Sequence, residues 1–220
     1  FMGAAPRIFE KAYGRIKMMM EEEGGVKLKL FNWASDVGKQ VSVLREQGKS
    51  PSALLSLQHG LSDKIIGAKI RDRFGGRVRF FISGSAALNQ DISRWFDGMG
   101  MQIAEGYGMT ESSAASTVNR IVAYKNGTVG WPLPGMEFRI AEDGEVLMRG
   151  PGVMAGYHNN PAATAEALDA DGWLHTGDIG EIDDRGFLKL TDRKKDLFKT
   201  SNGKYVAPSN IESTFKGLCP

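Results

Sequence analysis

EGYGMTE, residues 105–111, sets a tyrosine, a threonine and a glutamate within five positions of one another, with glycines on either side of the tyrosine. Gly106 and Gly108 let backbone come close to a ligand. Tyr107 between them can offer a flat face to a planar heterocycle. Thr110 can donate a hydrogen bond to a phosphate oxygen. Glu111 is a hard oxygen ligand of the kind that holds Mg²⁺ between phosphates. Read alone, the stretch is equally well a glycine turn carrying a stray carboxylate.

Two further stretches have comparable content. In HTGDIG, 175–180, Asp178 follows a glycine near a strand edge. A carboxylate there is a natural acceptor for a ribose diol, although a plain turn aspartate explains it too. His175, beside Trp173, reads as structural, and His59 and His158 lack metal-ligand spacing. In DRKKDLFKTSNGKYVAP, 192–208, Arg193 can reach a ribose or phosphate, Lys195 sits where a linker would turn, and Gly203 suits a hairpin turn. A solvated basic loop is the plainer alternative.

These residues need elements to hold them. Apolar residues at helical spacing predict helices over 6–23, 28–47 and 52–74, with core-facing stripes that include Leu54, Leu57 and Leu61. Paired glycines close the first and third. VRFFIS, 78–83, reads as a buried strand, Asn89 as the cap of a helix to about Gly98, and MQIAE, 101–105, as a second strand. This βαβ order predicts a parallel sheet, whose ligands bind beyond the carboxyl ends of its strands. SGSAAL and EGYGMTE would be loops at those ends. From about Thr128 the texture is antiparallel β: hairpins at GMEFRI/VLMRG, WLHTGDIGEI/FLKLTD and DLFKT/KYV, with a short helix opened by Asn159-Asn160-Pro161. The expected organisation is 1–127 as part of a large domain, 128–191 as its antiparallel subdomain, and 192–220 as a hinge and the start of a small domain. The charged TDRKKD, 191–196, marks the junction.

The 220 residues include 28 glycines, close to twice the usual share, as in chains with many turns or loops that approach ligands. The net charge of +2 is uneven: residues 1–80 carry 15 Lys and Arg against 8 Asp and Glu. Solvated helix faces account for that bias, and a surface toward phosphates or an anionic membrane is the sharper reading. A single cysteine, Cys219, excludes an internal disulfide and fits a reducing compartment. There is no apolar run long enough to span a membrane. The start leads into a helix rather than a signal peptide, so a cytoplasmic protein is expected.

The three motifs together resemble the adenylate-forming acyl-CoA synthetase superfamily. YGMTE, 107–111, resembles its Tyr-Gly-x-Thr-Glu motif, GEVLMRGPGVMAGYHNNPAATAEAL its mid-region, and WLHTGDIG its Thr-Gly-Asp motif. DRKKDLFKTSNGKYVAPSNIE resembles its hinge, in wording closest to long-chain fatty acyl-CoA synthetases, as does PRIFEKAYGRI, 6–16. The resemblance implies an α/β fold: a parallel-sheet portion of the large domain with helices, an antiparallel β subdomain, and the start of a small α+β domain. It implies that Gly84, Ser85 and Ala86 line an adenine pocket, that Glu105, Gly106 and Gly108 flank it, and that Tyr107 stacks on the base. Thr110 would meet the α-phosphate, Glu111 would bind Mg²⁺, Asp178 and Arg193 would hold the ribose, Lys195 would be the hinge, and Gly203 would lie by the pantetheine arm of CoA. The implied reaction joins a long-chain fatty acid to ATP, giving acyl-AMP and pyrophosphate, and then to coenzyme A. No nucleic-acid partner is expected. Peripheral membrane contact and a homodimer stay open. The phosphate-gripping loop would lie upstream of Phe1 and the adenylation lysine beyond Pro220, so an internal piece of a longer enzyme, inactive alone, is expected. An aryl-CoA ligase, a fatty acyl-AMP ligase or a nucleotide-binding module without chemistry are the alternatives.

Overall fold

The computed structural model describes residues 1–196 and, beyond them, 198, 199, 205, 206 and 215. Among the described residues the chain divides into two compact units: Phe1–Glu105 with Ile121–Gly127, and Gly106–Arg120 with those of Thr128–Phe215.

The first unit is a parallel sheet with helices. Strands β1 (Met2–Gly3), β2 (Phe80–Ser83) and β3 (Gln102–Met109) run parallel, with Phe81 opposite both Met2 and Ile103. Helix α1 (Pro6–Glu23) starts on a proline and turns Phe9 and Ile16 inward. Helix α2 (Gly25–Glu46) buries Phe31, Ala34, Val37 and Val41, as its spacing predicts. Farther along, Asn89 caps α5 (Gln90–Gly98), its side chain accepting the N–H groups of Asp91 and Ile92. Phe9, Phe81, Trp95 and Phe96 meet edge to face in the core.

The expected third helix is broken. It forms as α3 (Ala53–Ser62), a π turn over Asp63–Gly67, and α4 (Ala68–Arg73), with the Asp63–Arg71 ion pair spanning the π turn. Its expected stripe is also turned around. Leu54, Leu57 and Leu61 are exposed, at 66%, 73% and 52%. Ser62 is buried and Leu55, Gln58 and His59 are half-buried instead. A polar contact accompanies this rotation: His59 Nε2 lies 3.1 Å from the Gly98 carbonyl oxygen at the end of α5.

Strand β3 carries the chain into the second unit. The sequence predicted that it ends at Glu105 and that a flexible loop follows. It continues to Met109 because β4 (Ala114–Val118) offers it an antiparallel partner, with Gly106 opposite Val118 and Tyr107 opposite Thr117. A bulge falls between Tyr107 and Gly108. The glycines answer to this pairing. A Cβ on Gly106 would stand 2.9 Å from the Thr117 carbonyl oxygen, and one on Gly108 would collide with the carbonyl of Ala114.

Beyond β5 (Trp131–Pro132), a four-stranded antiparallel sheet is formed by β6 (Glu137–Ile140), β7 (Glu145–Arg149), β8 (Leu174–Ile182) and β9 (Leu188–Arg193). Both predicted hairpins are present, and α6 (Pro161–Ala167) opens after Asn159-Asn160 as predicted, with Asn160 as its cap. Val146, Met148, Leu174, Leu188 and Tyr107 make this unit's core. Phe198–Lys199 and Tyr205–Val206 pair antiparallel, as the third predicted hairpin requires. Gly203 lies outside the described residues.

Candidate functional site

The Thr-Gly-Asp motif is a bulge. Glu145 of β7 pairs with Ile179 and Leu147 with His175, so Thr176, Gly177 and Asp178 on β8 all stand against Val146. Each residue of the three has a physical task. The Thr176 hydroxyl donates to the Val146 carbonyl at 2.6 Å and accepts the Asp178 N–H at 3.1 Å. Gly177 sits at φ +70°, where a side chain is strained. Its N–H donates to Glu145 Oε1 at 2.8 Å. Asp178 is the residue this bulge presents.

Three residues predicted for the site meet at Asp178. The Tyr107 hydroxyl donates to Asp178 Oδ2 at 2.6 Å, and Arg193, its cross-strand partner, places Nε 3.5 Å from Oδ1. Burial, and then the hydrogen bond to Asp178, drive the Tyr107 hydroxyl far above its ordinary pKa, so it stays a donor. The carboxylate side chain is 14% exposed. Two oxygens offer about four acceptor positions, so one contact at each leaves capacity for a pair of vicinal hydroxyls.

Thr110 and Glu111 follow β3 in a single 3₁₀ turn, Thr110–Ser112. Thr110 is exposed and Glu111 half-buried. The segment behind them fixes the turn. Met154 N–H donates to the Glu111 carbonyl at 2.8 Å, and the Ser113 hydroxyl to that of Gly152 at 2.8 Å. The Tyr157 hydroxyl donates to Glu111 Oε1 at 2.9 Å, which raises the tyrosine's pKa. Among the described residues no group of three or more His, Cys, Asp or Glu is arranged around a metal position. A lone carboxylate suits Mg²⁺, which takes one or two protein carboxylates and fills its shell with phosphates and water.

The other predicted residues are placed as follows. Gly84, Ser85 and Ala86 follow β2 in the first unit, with Ser85 at φ +70°. Glu105, in the same unit, is buried, and its Oε2 accepts the Leu88 N–H at 3.3 Å, tying this loop to β3. Burial pushes its carboxyl up to about 7, against the N–H groups of Leu88 and Gly127. Lys195 is exposed in the 3₁₀ turn Lys194–Asp196 at the end of β9.

Sequence reasoning missed Glu145, Lys194 and Tyr157. Glu145 is one of three acids in AEDGE, and only the fold buries it while leaving Glu142 and Asp143 outside. Tyr157 lies 46 residues from Glu111, and no local pattern pairs them.

A family model described as AMP-binding enzyme matches residues 1–158. A putative fatty-acid–CoA ligase, fadD11, of Mycobacterium tuberculosis is 42% identical over 99% of the chain and 38% of its own length. Human long-chain-fatty-acid–CoA ligase 1 is 36% identical over 96% of the chain and 30% of its own length. The chain thus spans about a third of the length of such relatives. Among solved structures, ATP-bound MatB from Rhodopseudomonas palustris aligns with a TM-score of 0.59 at 36% identity, over 65% of the chain and 30% of MatB. O-succinylbenzoate coenzyme A synthetase from Bacillus subtilis, in complex with ATP and magnesium ion, aligns at 0.56 and 26%, over 67% of the chain and 34% of that protein. With its first 158 residues matched by that model, the chain belongs to the AMP-binding enzyme family.

Proposed function

We propose that the chain supplies the adenylate-holding part of a long-chain fatty acid–CoA ligase. The observation that carries this reading is the Tyr107–Asp178–Arg193 constellation, a half-buried carboxylate aligned by a tyrosine and an arginine and placed by a bulge. Asp178 binds the ribose hydroxyls of ATP, with Arg193 beside it. Tyr107, by resemblance, lies against the adenine, and Gly84–Ala86 line the pocket edge. Thr110 donates to the α-phosphate as the fatty acid carboxylate attacks it and pyrophosphate leaves. An anion then approaches a polyanion, so positive charge and hydrogen-bond donors at the phosphates matter most. Mg²⁺, when bound, neutralises phosphate charge, and Glu111 is the residue that would hold it. The ribose contacts mainly position the nucleotide. In the second step the thiol of CoA attacks the acyl carbonyl and AMP departs. Lys195 marks the hinge about which a small domain turns between the steps, and the resemblance assigns Gly203 to the pantetheine arm of CoA. The wording of 192–208 favours long-chain acids, and the reading places the enzyme in the cytoplasm.

The test is ATP–pyrophosphate exchange with a panel of fatty and aromatic acids, in a polypeptide of the relatives' full length that carries this chain. Exchange strongest with long-chain fatty acids is expected, and Glu111→Gln should lower it by about 10- to 100-fold, the scale of one lost charged contact. AMP binding without exchange for any acid would favour a nucleotide-binding module. Exchange unaffected by Glu111→Gln would remove the metal assignment.

A further inference from the structure

Glu145 is a buried carboxylate to which the proposed reaction assigns nothing. Only 5% of its side chain is exposed, yet it has three polar partners. Oε1 accepts the Gly177 N–H at 2.8 Å. Oε2 accepts from the Lys194 ammonium at 2.9 Å and lies 3.2 Å from His175 Nδ1. The ammonium is held on its other side by Asp143 Oδ2 at 2.7 Å, across the hairpin turn that leads into β7. These partners are not arbitrary. Gly177 is the left-handed residue of the bulge that presents Asp178, and Lys194 stands between Arg193 and Lys195.

We propose that Glu145 is a positioning residue that ties the ribose-gripping bulge to the chain entering the hinge, one carboxylate oxygen serving each. The inference rests on the proposed nucleotide site and adds to it a coupling through a single side chain. Burial alone would raise the Glu145 pKa, but the hydrogen bonds from Lys194, Gly177 and His175 outweigh it and hold the carboxyl below its ordinary value. Glu145 is therefore ionised at neutral pH, and a buried carboxylate is a stable arrangement only with such partners. The Lys194 ammonium is held above its ordinary pKa by Asp143 and then Glu145. Glutamine at 145 can still accept from Gly177 but offers Lys194 no charge. Methionine at 194 leaves the bulge bond intact and removes the hinge-side partner.

The experiment uses the full-length polypeptide and its Glu145→Gln, Lys194→Met, Lys194→Arg and doubly substituted Glu145→Gln/Lys194→Met forms. AMP binding is measured by titration calorimetry, and the adenylation and thioesterification rates are measured separately. Glu145→Gln is expected to weaken AMP about 10-fold, the cost of one charged contact. Lys194→Met should weaken it less and change the ratio of the two half-reaction rates by several fold. The double variant should be no weaker than Glu145→Gln, because both act through one carboxylate, and Lys194→Arg should restore the ratio to within about 2-fold of wild type. Wild-type AMP affinity and an unchanged rate ratio in Glu145→Gln would overturn the coupling, even if thermal stability fell. Strictly additive losses would overturn the shared-carboxylate mechanism. A wild-type protein that binds no AMP would instead overturn the proposed function and this inference with it.

Discussion

Replacing Glu105 with glutamine should abolish a pH dependence of stability that is readable from its surroundings. Glu105 is 5% exposed, its carboxylate accepts the Leu88 N–H, and burial moves its pKa from 4.5 to about 7. Between these values the folded protein keeps a proton that the unfolded chain releases. The unfolded state then binds fewer protons, so stability falls as pH rises through this window and levels off above about 7. At about 1.4 kcal/mol per pH unit, the full window corresponds to roughly 3 kcal/mol. Glutamine can still accept from Leu88 but does not titrate. Urea unfolding of wild type and Glu105→Gln from pH 5 to pH 8, taken as the difference at each pH, isolates this one group because other titrations cancel. The variant should gain about 2–3 kcal/mol on wild type across that range. A difference that stays constant with pH would refute the reasoning, since it would mean that Glu105 is ionised in both states.

Two further perturbations test other parts of the structure. Tyr107→Phe removes the hydroxyl that donates to Asp178 at 2.6 Å. AMP affinity should fall by about 10- to 100-fold, the range for a hydrogen bond to a charged group, as read by calorimetry; an unchanged affinity would separate this tyrosine from the proposed ribose site. Gly98→Ala places a Cβ against the backbone of Gly38, where α5 and α2 are in direct contact. A loss of about 1–3 kcal/mol in urea unfolding is expected from overpacking, whereas a neutral substitution would show that the two helices can separate freely.

Element types were legible in the sequence wherever a local signal acted alone. Pro6 at the start of α1, Asn89 at the cap of α5 and Asn159-Asn160-Pro161 at the opening of α6 act within a few residues, and each is found in its predicted place. Alternation and turn glycines were enough for the β6–β7 and β8–β9 hairpins. Sequence failed where two faces competed. On α3, Leu54, Leu57 and Leu61 form a helical stripe, but so do Leu55, His59 and Ser62, and periodicity cannot say which one faces a neighbour. It failed also at residues 106–109, where glycine density suggested a loop. A strand that accommodates a bulge and a close partner needs glycine for the same steric reason as a loop does.

The candidate site divides in the same way. The sequence by itself determined which residues are candidates for chemistry: Tyr107, Thr110, Glu111, Asp178 and Arg193 are distinctive in type and local wording. Tertiary structure alone decided that Tyr107 and Arg193 converge on the two oxygens of one carboxylate, because that depends on the β8–β9 register and on pairing across 71 residues of chain. It also decided that Glu145, rather than Glu142 or Asp143 beside it, is the acid taken inside. Local sequence sets the chemistry available at a position, but burial and partners are set by the strand brought alongside, and no short stretch of residues encodes that.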